Sequence, residues 1–242
     1  MEKTFNLPQS LVDIPTHYCP GCGHGVAHRL ICEVVDELGI RDKIIGVAPI
    51  GCAVIAYKYW DFDCCEAAHG RALAVAVGIK RCRPEAIVFT YQGDGDLAAI
   101  GCAETIHAAN RGENLTTIFI NNTVYGMTGG QMAPTTLLNQ KTATTPGGRK
   151  AKFEGYPLKI SELLAPLPGV AYIERVSTDS PQKIIAAKKA IKQAFVNQQQ
   201  EKGFSLVEIL SPCPTYLGMK PPDAAKWISE VLSKEFPLGR IK

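Results

Sequence analysis

Apolar residues recur along this chain in two rhythms, short continuous runs and helical stripes, and the two alternate. Ile44 to Ala48, Ala86 to Tyr91, Leu115 to Ile120, Val170 to Glu174 and Phe204 to Leu210 have the length and composition of buried strands. Between them lie stripes of helical period. Val26, Leu30, Val34 and Leu38 form one row, with Ala27, Ile31 and Val35 beside it and Gly39 as a C-cap. Ala72 to Cys82 predicts a small-residue helix that can pack closely on a sheet, and Leu97 to Ile106 predicts another. Ser180-Pro181 supplies the cap and first residue of a further helix, with Ile184, Ala187, Ile191, Ala194 and Phe195 on its inner face. This alternation predicts an α/β fold with a mostly parallel central sheet and helices on both faces. Leu7 to Tyr18 has Pro8 and Pro15 and no helical period, which predicts an extended arm. Thr123 to Lys159, rich in Gly, Thr and Pro, is too long for an ordinary connection and predicts a binding loop or partner surface.

Composition narrows the class. With 242 residues, 46% of them apolar, the chain suits one large domain rather than a disordered segment. We expect a single domain over residues 1–242, with an N-terminal cysteine-bearing arm 1–25 and a C-terminal tail 211–242. The net charge of +3 is spread out, so nothing favours nucleic acid as a partner. The best apolar window, Ala72 to Ile79, is bracketed by Arg71 and Lys80 and far short of a membrane span. Met1 to Asn6 lacks the apolar core of a signal peptide, which predicts a cytoplasmic protein. Nine cysteines, an odd number without an export signal, argue for metal binding or catalysis rather than a disulfide framework.

The chemistry concentrates after the second and third strand runs. Gly93-Asp94-Gly95-Asp96 follows one and Asn121-Asn122 the other, so neighbouring parallel strands would set Asp94 and Asn122 together at the carboxyl edge of the sheet. One carboxylate and one amide oxygen make a thin, hard ligand shell that suits Mg²⁺ when a bound phosphate completes it. Gly93 and Gly95 permit close backbone approach, and the following helix should aim free N–H groups at the anion. Cys19 and Cys22 form a C-x₂-C pair, while Cys52 and Cys213 each follow a strand run and should reach the same edge. Four thiolates there fit a [4Fe–4S] cluster or a zinc ion, and spacing alone does not choose. Cys32, Cys64, Cys65, Cys82 and Cys102 fall mostly in helical patterns and read as small buried hydrophobes. His69 stands at a predicted helix start, where backbone contacts would satisfy it equally well; His24 and His107 need no catalytic role, and His17 and His28 carry no signal.

Gly93-Asp94-Gly95 followed by Asn121-Asn122 resembles the thiamine diphosphate signature. Taken with Cys19-Pro20-Gly21-Cys22-Gly23-His24, Ile50-Gly51-Cys52, His69-Gly70-Arg71, Tyr125 to Gln131 and Ser211-Pro212-Cys213, the whole chain resembles the β subunit of 2-oxoacid:ferredoxin oxidoreductases. That resemblance implies the thiamine diphosphate-binding fold and a diphosphate-type domain. It implies a [4Fe–4S] cluster on Cys19, Cys22, Cys52 and Cys213, and Mg²⁺ on the side chains of Asp94 and Asn122 and the carbonyl of Val124. Gly93, Gly95, Asp96, Gly126 and Met127 would line the diphosphate and thiazolium, with Ile50, Gly51, Cys52 and Ala53 on the other side. His69 would meet the diphosphate or substrate.

The implied reaction is oxidative decarboxylation of a 2-oxo acid with coenzyme A to acyl-CoA and CO₂, electrons passing through the cluster to ferredoxin. Ylid formation needs a glutamate from a pyrimidine-binding domain, for which this chain has no room. An α subunit should supply it, with γ and ferredoxin-like δ subunits or domains completing the complex. Gly129 stands where some relatives carry a lysine, leaving 2-oxoisovalerate and 2-oxoglutarate both open. Two other classes compete: a non-redox thiamine diphosphate lyase or synthase with structural cysteines, and a zinc-stabilised binding protein.

Overall fold

The structure is a computed structural model describing residues 6–242; the first five residues of the expected arm lie outside the described residues. Its centre is a seven-stranded sheet. Helix α1 (His24–Leu38) precedes β1 (Ile44–Ala48), β2 (Asp63–Glu66), α2 (Ala72–Cys82) and β3 (Ile87–Gly93). A π-helical stretch (Gly95–Ile100) leads into α3 (Cys102–Asn110), then β4 (Thr116–Asn121) and a small hairpin, β5 (Val124–Tyr125) and β6 (Gln131–Met132). Next come α4 (Ala151–Glu154), α5 (Ile160–Leu164), β7 (Val170–Ser177), α6 (Pro181–Gln199) and β8 (Phe204–Leu210). The tail adds α7 (Pro214–Leu217), α8 (Pro221–Trp227) and a last strand, β9 (Gly239–Arg240).

The sheet order is β2-β1-β3-β4-β8-β7-β9, parallel throughout except for β9 on β7. Because side chains alternate across a strand, each strand feeds two cores. Ile87, Phe89 and Tyr91 of β3 pack with α1 and α6, whereas Val88 packs with α2, α3 and α5 on the other face. Gly39 ends α1 in the left-handed conformation, and the Ser180 hydroxyl accepts from the Lys183 N–H to cap α6. Both features match the sequence reading. No helix among the described residues is long and apolar enough to cross a membrane.

Strand order sets the site. After β1 the chain turns outward to β2, and after β3 it turns the other way, so a crevice opens between their carboxyl ends. A second reversal follows β4, where the chain runs out to β7 before β8 slots in between.

Three expectations are corrected. Cys64 and Cys65 lie in edge strand β2, not in a helix; four residues of mixed polarity carry no period strong enough to mark a strand. The single helix expected over 97–106 is split at Gly101 between the π-helical stretch and α3. The Gly95 N–H, expected to be free for an anion, bonds the Asp94 carboxylate at 2.8 Å.

Candidate active site

The register pairs Gly93 with Ile120, so the residues after β3 and β4 emerge side by side. Asp94 is 2% and Asn122 6% exposed. Burial pushes the Asp94 carboxyl up to about 6, and hydrogen bonds from the Thr135 hydroxyl and the Gly95 N–H only partly offset it. Asn122 begins a tight turn whose Thr123 has φ of 66°, an uncommon conformation for a β-branched residue. The Val124 N–H closes that turn on Asn122 Oδ1 at 3.3 Å.

Asp94 and Asn122 face a cavity of about 120 Å³. Ile50, Gly51, Cys52 and Ala53 form one wall, Gly93, Gly95, Asp96 and His69 another, and Val124, Gly126 and Met127 a third. Every residue expected at the thiamine end of the cofactor therefore lines one space. Tyr125 lies over Gly95 so closely that a Cβ there would sit 2.1 Å from the ring. A desolvated carboxylate beside an amide oxygen, with no lysine or arginine among the described residues lining the cavity, is a donor set that fits a hard divalent cation.

His69 is not satisfied by backbone. Its Nδ1 lies 2.8 Å from Asp96 Oδ1, which also accepts the Gly70 N–H, and Gln92 donates to the other Asp96 oxygen. An ionised carboxylate only accepts, so Nδ1 carries the proton and Nε2 is left for the cavity. Gly70 permits this: a Cβ on it would lie 2.7 Å from the backbone of Ile100 and Gly101, so the His69 loop packs directly on the π-helical stretch.

Cys19, Cys22, Cys52 and Cys213 line a second cavity of about 200 Å³. Burial raises the Cys22 thiol to about 11 and the Cys52 thiol to about 12. Burial raises Cys213 as well. Without a cation these groups stay protonated. A Cβ on Gly126 would be 3.0 Å from the Cys52 sulfur, a tight approach, and in ordinary contact with that of Cys213 at 3.7 Å. Among the described residues no three His, Cys, Asp or Glu groups close on one point as a single metal ion requires.

Cys52, Asn122, Gly126 and Met127 border both cavities. The arm runs along the thiol side: His17 Nε2 bonds the Cys52 carbonyl at 2.8 Å, and Tyr18 stacks on His24 and bonds His28. His24, expected to need no catalytic role, lines the first cavity and bonds the Tyr91 hydroxyl at 2.7 Å; burial lowers it to about 4, so the ring is neutral. Sequence reasoning also missed Gln92 and Thr135, since each is defined only by the distant carboxylate it holds.

Residues 50–209 match the family model described as "Thiamine pyrophosphate enzyme, C-terminal TPP binding domain". The chain is 51% identical, over its full length and 53% of the relative, to "Ketoisovalerate oxidoreductase subunit VorA" of Methanothermobacter thermautotrophicus. It is 41% identical, over 90% of this chain and 77% of the relative, to "2-oxoglutarate synthase subunit KorB" of Archaeoglobus fulgidus. It thus spans about half the length of the VorA relatives it matches. Among solved structures, a 2-oxoglutarate:ferredoxin oxidoreductase from Magnetococcus marinus, with 2-oxoglutarate, coenzyme A and succinyl-CoA bound, aligns with a TM-score of 0.75 at 29% identity, covering 88% of this chain and 70% of that one.

Proposed function

Because the chain belongs to the thiamine diphosphate-binding subunits of the 2-oxoacid:ferredoxin oxidoreductases, we propose that it forms the diphosphate half of such an enzyme's active site and acts on a branched 2-oxo acid. The observation that carries this reading is the wall of Cys52, Asn122, Gly126 and Met127 between the carboxylate–amide cavity and the four thiols. Residues that would hold the diphosphate thus share a wall with residues that would hold a one-electron acceptor.

Asp94 and Asn122, with the Val124 carbonyl, would hold Mg²⁺ and through it the diphosphate. Gly93, Gly95 and Gly126 leave room for the anion, and Ile50 to Ala53 would face the thiazolium. Cys19, Cys22, Cys52 and Cys213 would hold a [4Fe–4S] cluster. Thiamine diphosphate supplies a carbon nucleophile and electron sink for a 2-oxo acid, and an iron–sulfur cluster supplies single-electron steps toward ferredoxin. The chain's own residues do the rest. Asp94 provides a desolvated negative charge for the cation. Asp96 fixes the His69 tautomer, so that Nε2 can hold or accept a proton at the substrate oxygen. Ile50 and Ala53 would present an apolar wall to the reacting carbon. With coenzyme A the net reaction is oxidative decarboxylation to acyl-CoA and CO₂.

A cavity of about 120 Å³ is well below the roughly 300 Å³ at which sites for ligands of this size begin, which supports a second, pyrimidine-binding chain or domain closing over it. That α-type partner would bring the glutamate for ylid formation, with γ and δ ferredoxin-like partners carrying electrons onward. An uncharged substrate side chain is favoured because the described residues around the cavity include no lysine or arginine, and Gly129 adds no cation. The ketoisovalerate names of relatives 51% and 53% identical point the same way.

The test is the assembled enzyme purified without oxygen. About four iron and four sulfide per chain, together with thiamine diphosphate, and ferredoxin reduced faster with 2-oxoisovalerate than with 2-oxoglutarate, are expected. Zinc without sulfide would remove the electron path, and a preference for 2-oxoglutarate would overturn the substrate.

A further inference from the structure

The long connection after β4 is built around a buried arginine. Arg149, 4% exposed, has no carboxylate partner among the described residues; it donates instead to main-chain carbonyls. Nη1 bonds Pro134 O at 2.8 Å and Thr136 O at 2.6 Å, gripping the chain on both sides of Thr135. Nε and Nη2 hold the carbonyls of Gly155, Glu154 and Tyr156, tying the far end of the loop to the same point.

Thr135 is fully buried, and its hydroxyl donates to Asp94 Oδ2 at 2.7 Å. The other Asp94 oxygen takes the Gly95 N–H, so two donors from different segments fix the plane of the carboxylate. The next residue serves the other arm of the site: Thr136 Oγ1 bonds Thr123 O, and Gln140 Nε2 bonds Thr123 Oγ1 at 2.8 Å. Those bonds stabilise the positive-φ turn that sets Asn122 and Val124. Asp94 and Asn122 thus follow different strands, yet one loop orients both.

We propose that Thr135 is a positioning residue for the divalent cation site, its hydroxyl holding Asp94 in the rotamer that leaves a lone pair for the metal. This rests on the reading of Asp94 and Asn122 as metal ligands. Partners of metal ligands act by cutting the freedom a ligand must lose on binding, and their removal typically weakens a site about 10–100-fold. A valine keeps the shape of threonine and deletes the donor, whereas serine keeps the donor.

The experiment strips metal and cofactor from the assembled enzyme and titrates Mg²⁺ by calorimetry in the presence of excess thiamine diphosphate. Thr135→Val is expected to weaken Mg²⁺ about tenfold or more and, stripped, to melt somewhat below the wild type because the buried carboxylate loses a donor; Thr135→Ser is expected to restore affinity to within a few-fold and to melt with the wild type. Wild-type affinity in Thr135→Val, or failure of Thr135→Ser to recover it, overturns the proposal. So does a loss of affinity matched by a fall in melting temperature of the stripped protein that Ser does not rescue, since that marks a packing role. If the wild type takes up thiamine diphosphate without any dependence on Mg²⁺, the ligand reading of Asp94 and Asn122 fails and the role of Thr135 falls with it.

Discussion

Asp94 sits where a carboxylate is least comfortable, nearly solvent-free and with neutral donors only. Its folded value of about 6 exceeds the ordinary 3.8, so the native state holds a proton more tightly than the unfolded chain does. The sign follows: stability from this group is present below about 3.8 and is lost as pH rises through about 6. The loss is on the order of 3 kcal/mol for the metal-free protein. Asp94→Asn should therefore raise the melting temperature of metal-free protein at pH 8, leave it nearly unchanged at pH 4, and abolish Mg²⁺-dependent uptake of thiamine diphosphate. A variant less stable than wild type at pH 8 would show that the charged form is not strained by burial. In the wild type, Mg²⁺ should bind less tightly as pH falls below about 6, because proton and metal compete for one group. Asp94 and Asn122 were readable because each ends a strand run, and position at a strand end is local information. Thr135 and Gln92 were not, because a hydroxyl or an amide has no function until the fold supplies its partner.

Among the elements, the start of the helix after β3 departs most from expectation. A wide π-helical turn carries Asp96 toward His69, and the Gly101 N–H closes it on Asp96 O at 2.8 Å. Such turns recur at functional sites because the extra residue re-aims a side chain. Gly95 opens the turn beneath Tyr125, whose hydroxyl bonds Gly95 O. Gly95→Ala should force the ring away, destabilise the protein by about 1–3 kcal/mol and weaken thiamine diphosphate binding. Adding Tyr125→Ala should return much of that stability in denaturant unfolding, since the two sites share one contact; no recovery would place the strain elsewhere. The apolar period over 97–106 predicted a helix correctly, but period does not separate an α from a π turn. The turn also packs against a residue distant in sequence, since a Cβ on Gly70 would sit 2.7 Å from the Gly101 nitrogen.

Across the whole molecule, β7, β8 and β4 are joined at their centre by charge. Arg175 and Glu208, each 1% exposed, face one another in register at 2.8 Å, and Asn121 Nδ2 bonds the second Glu208 oxygen at 2.8 Å. Glu162 receives the rest of the guanidinium. Removing one partner leaves a buried charge uncompensated, so Arg175→Met should lower unfolding free energy by about 3–5 kcal/mol. A loss under 1 kcal/mol in urea titrations would mean water replaces the guanidinium. Asn121, read with Asn122 as part of one motif, therefore belongs to the scaffold, and only its neighbour faces the cavity. By itself the sequence determined the runs of β1, β3, β4, β7 and β8, the helices α1, α2, α3 and α6, and the gathering of Asp94, Asn122, Cys52 and Cys213 at one edge. Those follow from hydrophobic period and from parallel connectivity, both readable along the chain. Tertiary structure alone decided that β8 inserts between β4 and β7, that Cys52 and Gly126 share a wall between two cavities, and that Arg149 bends a loop without period until Thr135 meets Asp94. Contacts of that kind depend on register and on how loops close, and a chain's composition is the same whichever residues the closed loops bring together.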